Sequence, residues 1–78
     1  MDEKRVFKVF GKVLREARKE RGLSQEKLAF ETGYDRTFIS RMERGLTQPS
    51  LVSLIKIAKA CGKPVSELIK PLENKLGF

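Results

Sequence analysis

Apolar residues return every three or four positions almost from one end of this chain to the other, and nowhere do they alternate with polar residues for long. Side chains three and four apart share one face of an α-helix, whereas a half-buried strand needs strict alternation, so the pattern predicts an all-α fold. Glycine and proline divide it into segments. The first carries Val6, Phe10, Val13, Leu14 and Ala17 between charged residues and stops before Gly22, which predicts a helix over about residues 5–21. Gly11 in its middle costs about 1 kcal/mol relative to alanine, and close approach of a neighbour is the expected reason for it.

Ser24 can cap a second helix over about residues 24–32, with Leu28 and Ala29 on its buried side. Gly33 suits the left-handed conformation that turns a chain sharply, and Asp35 can cap a third helix over about residues 35–44. Two short helices joined so tightly cannot run parallel, so the third must cross the second steeply and project outward. Pro49 disfavours helix at Gln48 and can open a fourth helix over about residues 50–61, with Leu51, Leu54, Ile55, Ala58 and Cys61 as its expected apolar stripe. Gly62 and Pro64 mark its end. A fifth helix is expected over about residues 65–71, where Pro71 should kink or end it and leave residues 72–78 as a last turn or frayed tail.

With 78 residues the chain has room for one domain, residues 1–78, and none for a separate catalytic or sensory unit. Its 17 basic and 10 acidic side chains give a formal net charge of +7, which favours polyanions or anionic surfaces as partners. Positive charge is in excess in both halves, so a disordered basic arm is not indicated. Histidine is absent and Cys61 is the single cysteine. That excludes an internal disulfide and a cysteine-rich zinc site, and it removes the commonest general base; no cofactor, metal or catalytic residue is indicated. Cys61 reads as a small buried hydrophobe. No apolar run approaches the roughly 20 residues of a membrane-spanning helix, and the first ten residues mix charges where a secretory signal would be apolar, so a cytoplasmic protein is expected.

The stretch "GYDRTFISRMERG" gives the third helix two unlike faces. At roughly 100° per residue Arg36, Thr37, Ser40, Arg41 and Arg44 share an arc of about 140°, while Phe38, Ile39 and Met42 occupy another. One face suits a core. The other is short-chained, basic and rich in hydrogen-bonding groups.

The longer stretch "KERGLSQEKLAFETGYDRTFISRMERGLTQPSLVSLIKIAKACG" resembles the Cro and lambda-repressor type of helix-turn-helix protein, the XRE family. The resemblance spans about residues 7–72. It is carried by Gly22, Ser24 and Gln25 at the second helix, by Ala29, Gly33 and Ile39 at the crossing, and by Glu43, Arg44 and Gly45. It implies a compact five-helix domain whose second and third helices form the helix-turn-helix, with the third entering the major groove of double-stranded DNA. The implied base contacts are Arg36, Thr37, Ser40 and Arg41, an arginine being able to donate two hydrogen bonds to guanine O6 and N7. Ser24, Gln25, Tyr34, Arg44, Thr47 and Gln48 are the implied phosphate contacts, Gln25 acting beside the free N–H groups that open the second helix. Glu43 would be repelled by phosphates; in the family a glutamate here pairs with an arginine of the first helix, which in this chain is Arg18.

Leu51, Val65, Leu68, Ile69 and Leu72 exceed what a small five-helix domain is expected to bury, and family members often dimerise through this region, so a two-fold homodimer on a roughly palindromic operator is expected. No small-molecule ligand or membrane partner is implied. "YDRTFIS" and the short length resemble the controller proteins of restriction-modification systems, with a phage-type repressor or an antitoxin-type autoregulator as alternatives. A protein–protein interaction module is the alternative from another class. An enzyme is not indicated, since no nucleophile stands with a base.

Overall fold

The computed structural model describes residues 1–77, and among these it contains five helices and no strand. They are α1 (Glu3–Glu20), α2 (Gln25–Thr32), α3 (Arg36–Glu43), α4 (Leu51–Ala60) and α5 (Val65–Leu76). Each of the first four begins at a side-chain cap. The oxygens of Asp2, Ser24, Asp35 and Ser50 accept from the N–H of Lys4, Lys27, Thr37 and Ser53, which satisfies donors that a helix start leaves unpaired. The Asp2 cap sets the start of α1 at Glu3, two residues earlier than the apolar spacing predicts.

Leu14, Leu28, Ile39, Met42, Ile57 and Leu68 are fully buried and draw one side chain or more from every helix into a single core. Around them lie Phe10, Val13, Ala17, Ala29, Ala58, Cys61 and Leu72. The fourth helix departs from its expected stripe. Ile57 is the side chain that α4 drives deepest, whereas Leu51 and Ile55 remain exposed. The core face is Leu54, Ile57, Ala58 and Cys61, at i, i+3, i+4 and i+7, rotated toward Ile57 from the stripe read along the chain.

The fifth helix runs through Pro71 to Leu76, so the break expected there does not occur. Proline deletes one N–H, whose acceptor would have been the Glu67 carbonyl, and the turns on either side are held by tertiary contacts. Leu68 and Leu72 enter the core and Leu76 packs against it, while the Arg5 Nη2 donates to the Lys75 carbonyl at 3.0 Å. Burial of Leu68 and Leu72 also removes both from the surplus apolar surface expected at this end of the chain. Of the tail expected over residues 72–78, Phe78 lies outside the described residues.

Gly11 explains how α3 is seated. A Cβ at this position would stand 2.5 Å from the Met42 carbonyl oxygen and 2.6 Å from that of Glu43, so the end of α3 rests directly on the backbone of α1. The close approach expected of Gly11 is the one present, and α1 continues unbroken through it.

Candidate nucleic-acid interface

The turn between α2 and α3 is built by Gly33, whose φ of 76° lies in the left-handed region that costs glycine no steric strain. Tyr34 N–H donates to the Ala29 carbonyl at 3.0 Å and closes the turn. Asp35 then restarts the helix, its carboxylate accepting from Thr37 N–H at 2.8 Å. Behind the turn Ala29 is buried and small enough for α3 to cross it, and Ile39 and Met42 fill the core side. Thr32 is buried too, and its hydroxyl donates to the carbonyls of Leu28 and Ala29.

The opposite side of α3 is open. Arg36, Thr37, Arg41 and Arg44 are exposed and Ser40 is half-buried, so the five residues of the polar arc lie on one accessible face. Arg36 is near one carboxylate, Glu26 Oε1 at 4.0 Å, with both side chains more than half exposed, which leaves its guanidinium free to exchange that neighbour for another acceptor. Phe38 is half-buried against the core and stands edge-on to Tyr34, ring centroids 5.2 Å apart.

A buried ion pair fixes this helix from behind. Arg18 Nε donates to Glu43 Oε2 at 2.6 Å and Nη2 donates to Oε1 at 3.0 Å, a two-point contact between side chains that are 10% and 4% exposed. Arg18 Nη1 donates to the Leu23 carbonyl at 2.8 Å, so the same guanidinium holds the loop before α2. The hydrogen bond to Glu43 raises the Arg18 pKa, against the opposing effect of burial. Glu43 therefore faces α1 rather than the open side of α3.

Of the residues expected at phosphates, Ser24 is exposed and its oxygen is engaged by Lys27 N–H, which leaves the hydroxyl proton free to donate. Gln25 is half-buried, and its Nε2 donates to Glu43 Oε1 at 3.1 Å. One N–H of that amide is thus committed and the second remains. Gln48 and Arg44 are exposed; Tyr34 and Thr47 are half-buried. Sequence reasoning did not anticipate two links here, the Gln25 to Glu43 bond and the Lys56 ammonium, which sits 5.4 Å from the Tyr34 ring centre and sets a cation beside the turn. Neither has a signal in local spacing, because each joins residues distant in the chain.

A steep two-helix crossing with one buried face and one basic open face defines the DNA-binding helix-turn-helix proteins, and residues 14–68 match the family model described as helix-turn-helix. The chain belongs to this family of transcriptional regulators, which are DNA-binding proteins and not enzymes. It is 42% identical to control protein C.MunI from a Mycoplasma species over 85% of this chain and 90% of the relative. It is 44% identical to control protein C.BamHI from Bacillus amyloliquefaciens, over 78% and 76%. The crystal structure of the restriction-modification controller protein C.AhdI from Aeromonas hydrophila superposes with a TM-score of 0.77 at 45% identity, covering 80% of this chain and 94% of that one. Among the described residues no helix is long and apolar enough to cross a membrane.

Proposed function

We propose that this regulator acts as a two-fold homodimer on a roughly palindromic operator and controls a restriction-modification system. In this reading α3 lies in the major groove, Arg36 and Arg41 read guanine edges, and Thr37 and Ser40 admit close approach and contact neighbouring bases. Ser24, Gln25, Tyr34, Arg44, Thr47 and Gln48 hold phosphates on either side. The observation that carries it is the exposure of four of the five residues of the polar arc, Arg36, Thr37 and Arg41 on α3 and Arg44 at its C-cap, away from a buried clamp. Identity with control proteins over most of the chain supports the restriction-modification role.

Apolar surface left uncovered on one protomer supports the dimer. Leu51 is 72%, Val52 59% and Ile55 39% exposed on α4, and Val65 and Ile69 are half-buried on α5. A cleft of about 180 Å³ between α1, α4 and α5, lined by Val6, Phe10, Pro49, Leu54 and Ile69 among others, gives that surface relief. Two recognition helices about 34 Å apart would then face successive turns of one groove. Dimerisation makes occupancy rise more steeply than protein concentration, which suits a regulator governed by its own abundance.

Selection of binding sites from random duplexes tests the reading. The expected product is an inverted repeat bound in gel shifts by the wild type, with discrimination lost at one base pair of each half-site in Arg36→Ala. Selection of no consensus, or an unchanged consensus with both Arg36→Ala and Arg41→Ala, overturns it.

A further inference from the structure

The outer face of α1 is the most strongly charged surface that operator reading leaves unused. Lys4, Lys8, Lys12, Arg15 and Lys19 recur at spacings of three and four, which sets them in an arc of about 80° on one side of the helix. All five are exposed. Among the described residues none of them has a carboxylate within 4.0 Å. Glu16 and Glu20 of α1 lie on another side, where Glu20 meets Lys63 of the turn before α5 at 2.9 Å and Glu16 lines a cleft shared with Lys63 and Glu67; Lys12 borders the same cleft. Like charges at helical spacing repel one another, so the row is stabilised by any polyanion laid along it.

One edge of this row adjoins the recognition helix. Gly11 and Arg18, which flank it on the wheel, are the residues that meet the end of α3. The stem of Lys8 lies against Gly45, just past α3, so closely that a Cβ on Gly45 would stand 2.7 Å from Lys8 Cγ. From Lys4 to Lys19 the row extends about 22 Å, the length of about six base-pair steps.

We infer that this row is a second phosphate-binding surface, which takes the backbone of the same duplex outside the base pairs read by α3. The inference rests on DNA as the ligand of α3. Contacts of this kind carry no sequence information; they lengthen the footprint and steepen the dependence on salt.

The test compares wild type with the variant K4Q/K8Q/R15Q/K19Q on the selected operator, in one duplex that ends at the operator and one with about ten extra base pairs on each side. Glutamine keeps the helix-forming stem, and Lys12 stays because it borders the cleft to α5. Wild type is expected to prefer the long duplex about tenfold, and the variant to bind both alike, choose the same sequence and lose about 2 or more from the log–log salt slope. Equal wild-type affinity for the two duplexes, or an unaltered slope in the variant, overturns the inference. If the variant melts at a lower temperature than wild type, the pair R15Q/K19Q is used instead, with a slope loss of about 1 expected and no loss overturning it. Failure of the operator reading is distinguishable, because wild type would then show no preference for any selected duplex before a substitution is made.

Discussion

Gln25 Nε2 donates to Glu43 Oε1 at 3.1 Å, which ties the first residue of α2 to the last of α3 through a side chain that also pairs with Arg18. The two helices of the motif are thus locked to each other and to α1 at one carboxylate. Removing it by Glu43→Ala leaves the buried Arg18 guanidinium without its countercharge, held only by the Leu23 carbonyl, and is expected to cost about 3–5 kcal/mol. Thermal or denaturant unfolding measures this, and an unchanged midpoint would deny the clamp its role.

Gly11→Ala sets two effects against each other. Alanine favours helix by about 1 kcal/mol, but its methyl group would stand 2.5 Å from the Met42 carbonyl oxygen, and backbone cannot give way as a flexible side chain does. Net destabilisation of about 1–3 kcal/mol is expected, together with weaker operator binding as α3 is pushed outward. A stabilised variant would show that the helices approach less closely.

Leu51→Lys and Leu68→Ala separate surface from core. Leu51 is 72% exposed in one protomer, so its lysine variant should fold with the wild-type melting temperature yet raise the dimer dissociation constant about tenfold or more in sedimentation. Leu68 is 0% exposed, and its alanine variant should lose about 2–5 kcal/mol of stability. An unaffected dimer in Leu51→Lys places the subunit contact elsewhere.

Burial pushes the Cys61 thiol above its ordinary range. In the unfolded chain that thiol ionises at about pH 8.5, so its contribution to stability is complete below that pH and is lost as pH rises through the higher folded-state value. A thiol reagent at pH 8 should therefore label Cys61 only as fast as the protein unfolds, and labelling at the rate of a free thiol would contradict its burial.

Arg36 and Arg44 should fail differently. Arg36→Ala is expected to lose about 1–3 kcal/mol of discrimination at one base pair, whereas Arg44→Ala should weaken binding to all sequences alike and lower the salt slope by about 1. Competition binding against operators mutated one base pair at a time resolves the two patterns.

The parts of this molecule legible in the sequence are those fixed by neighbours along the chain. Gly33 and the caps at Ser24 and Asp35 announce the crossing of α2 and α3, and the polar arc from Arg36 to Arg44 shows which face stays open. Where an element is apolar on most sides, as in "LVSLIKIAKA", periodicity cannot decide which side turns inward; Ile57 replaced Leu51 and Ile55 in the core for that reason. Pro71 reads locally as a kink or an end because the side chains that hold α5 past it, Leu72 and Leu76, act through α1 and the core. The Arg18 to Glu43 pair, 25 residues apart, was legible only through the family resemblance, and the Gln25 to Glu43 bond bridges 18 residues, a separation at which local pattern is silent.

With its end seated on bare backbone at Gly11 and gripped at Glu43, α3 owes its position to nothing on its outer side. The residues at 36, 37, 40 and 41 are therefore free to be exchanged as a set. On the proposed reading of α3, grafting those four positions is expected to write a new target sequence onto this scaffold, with the angle of presentation inherited unchanged.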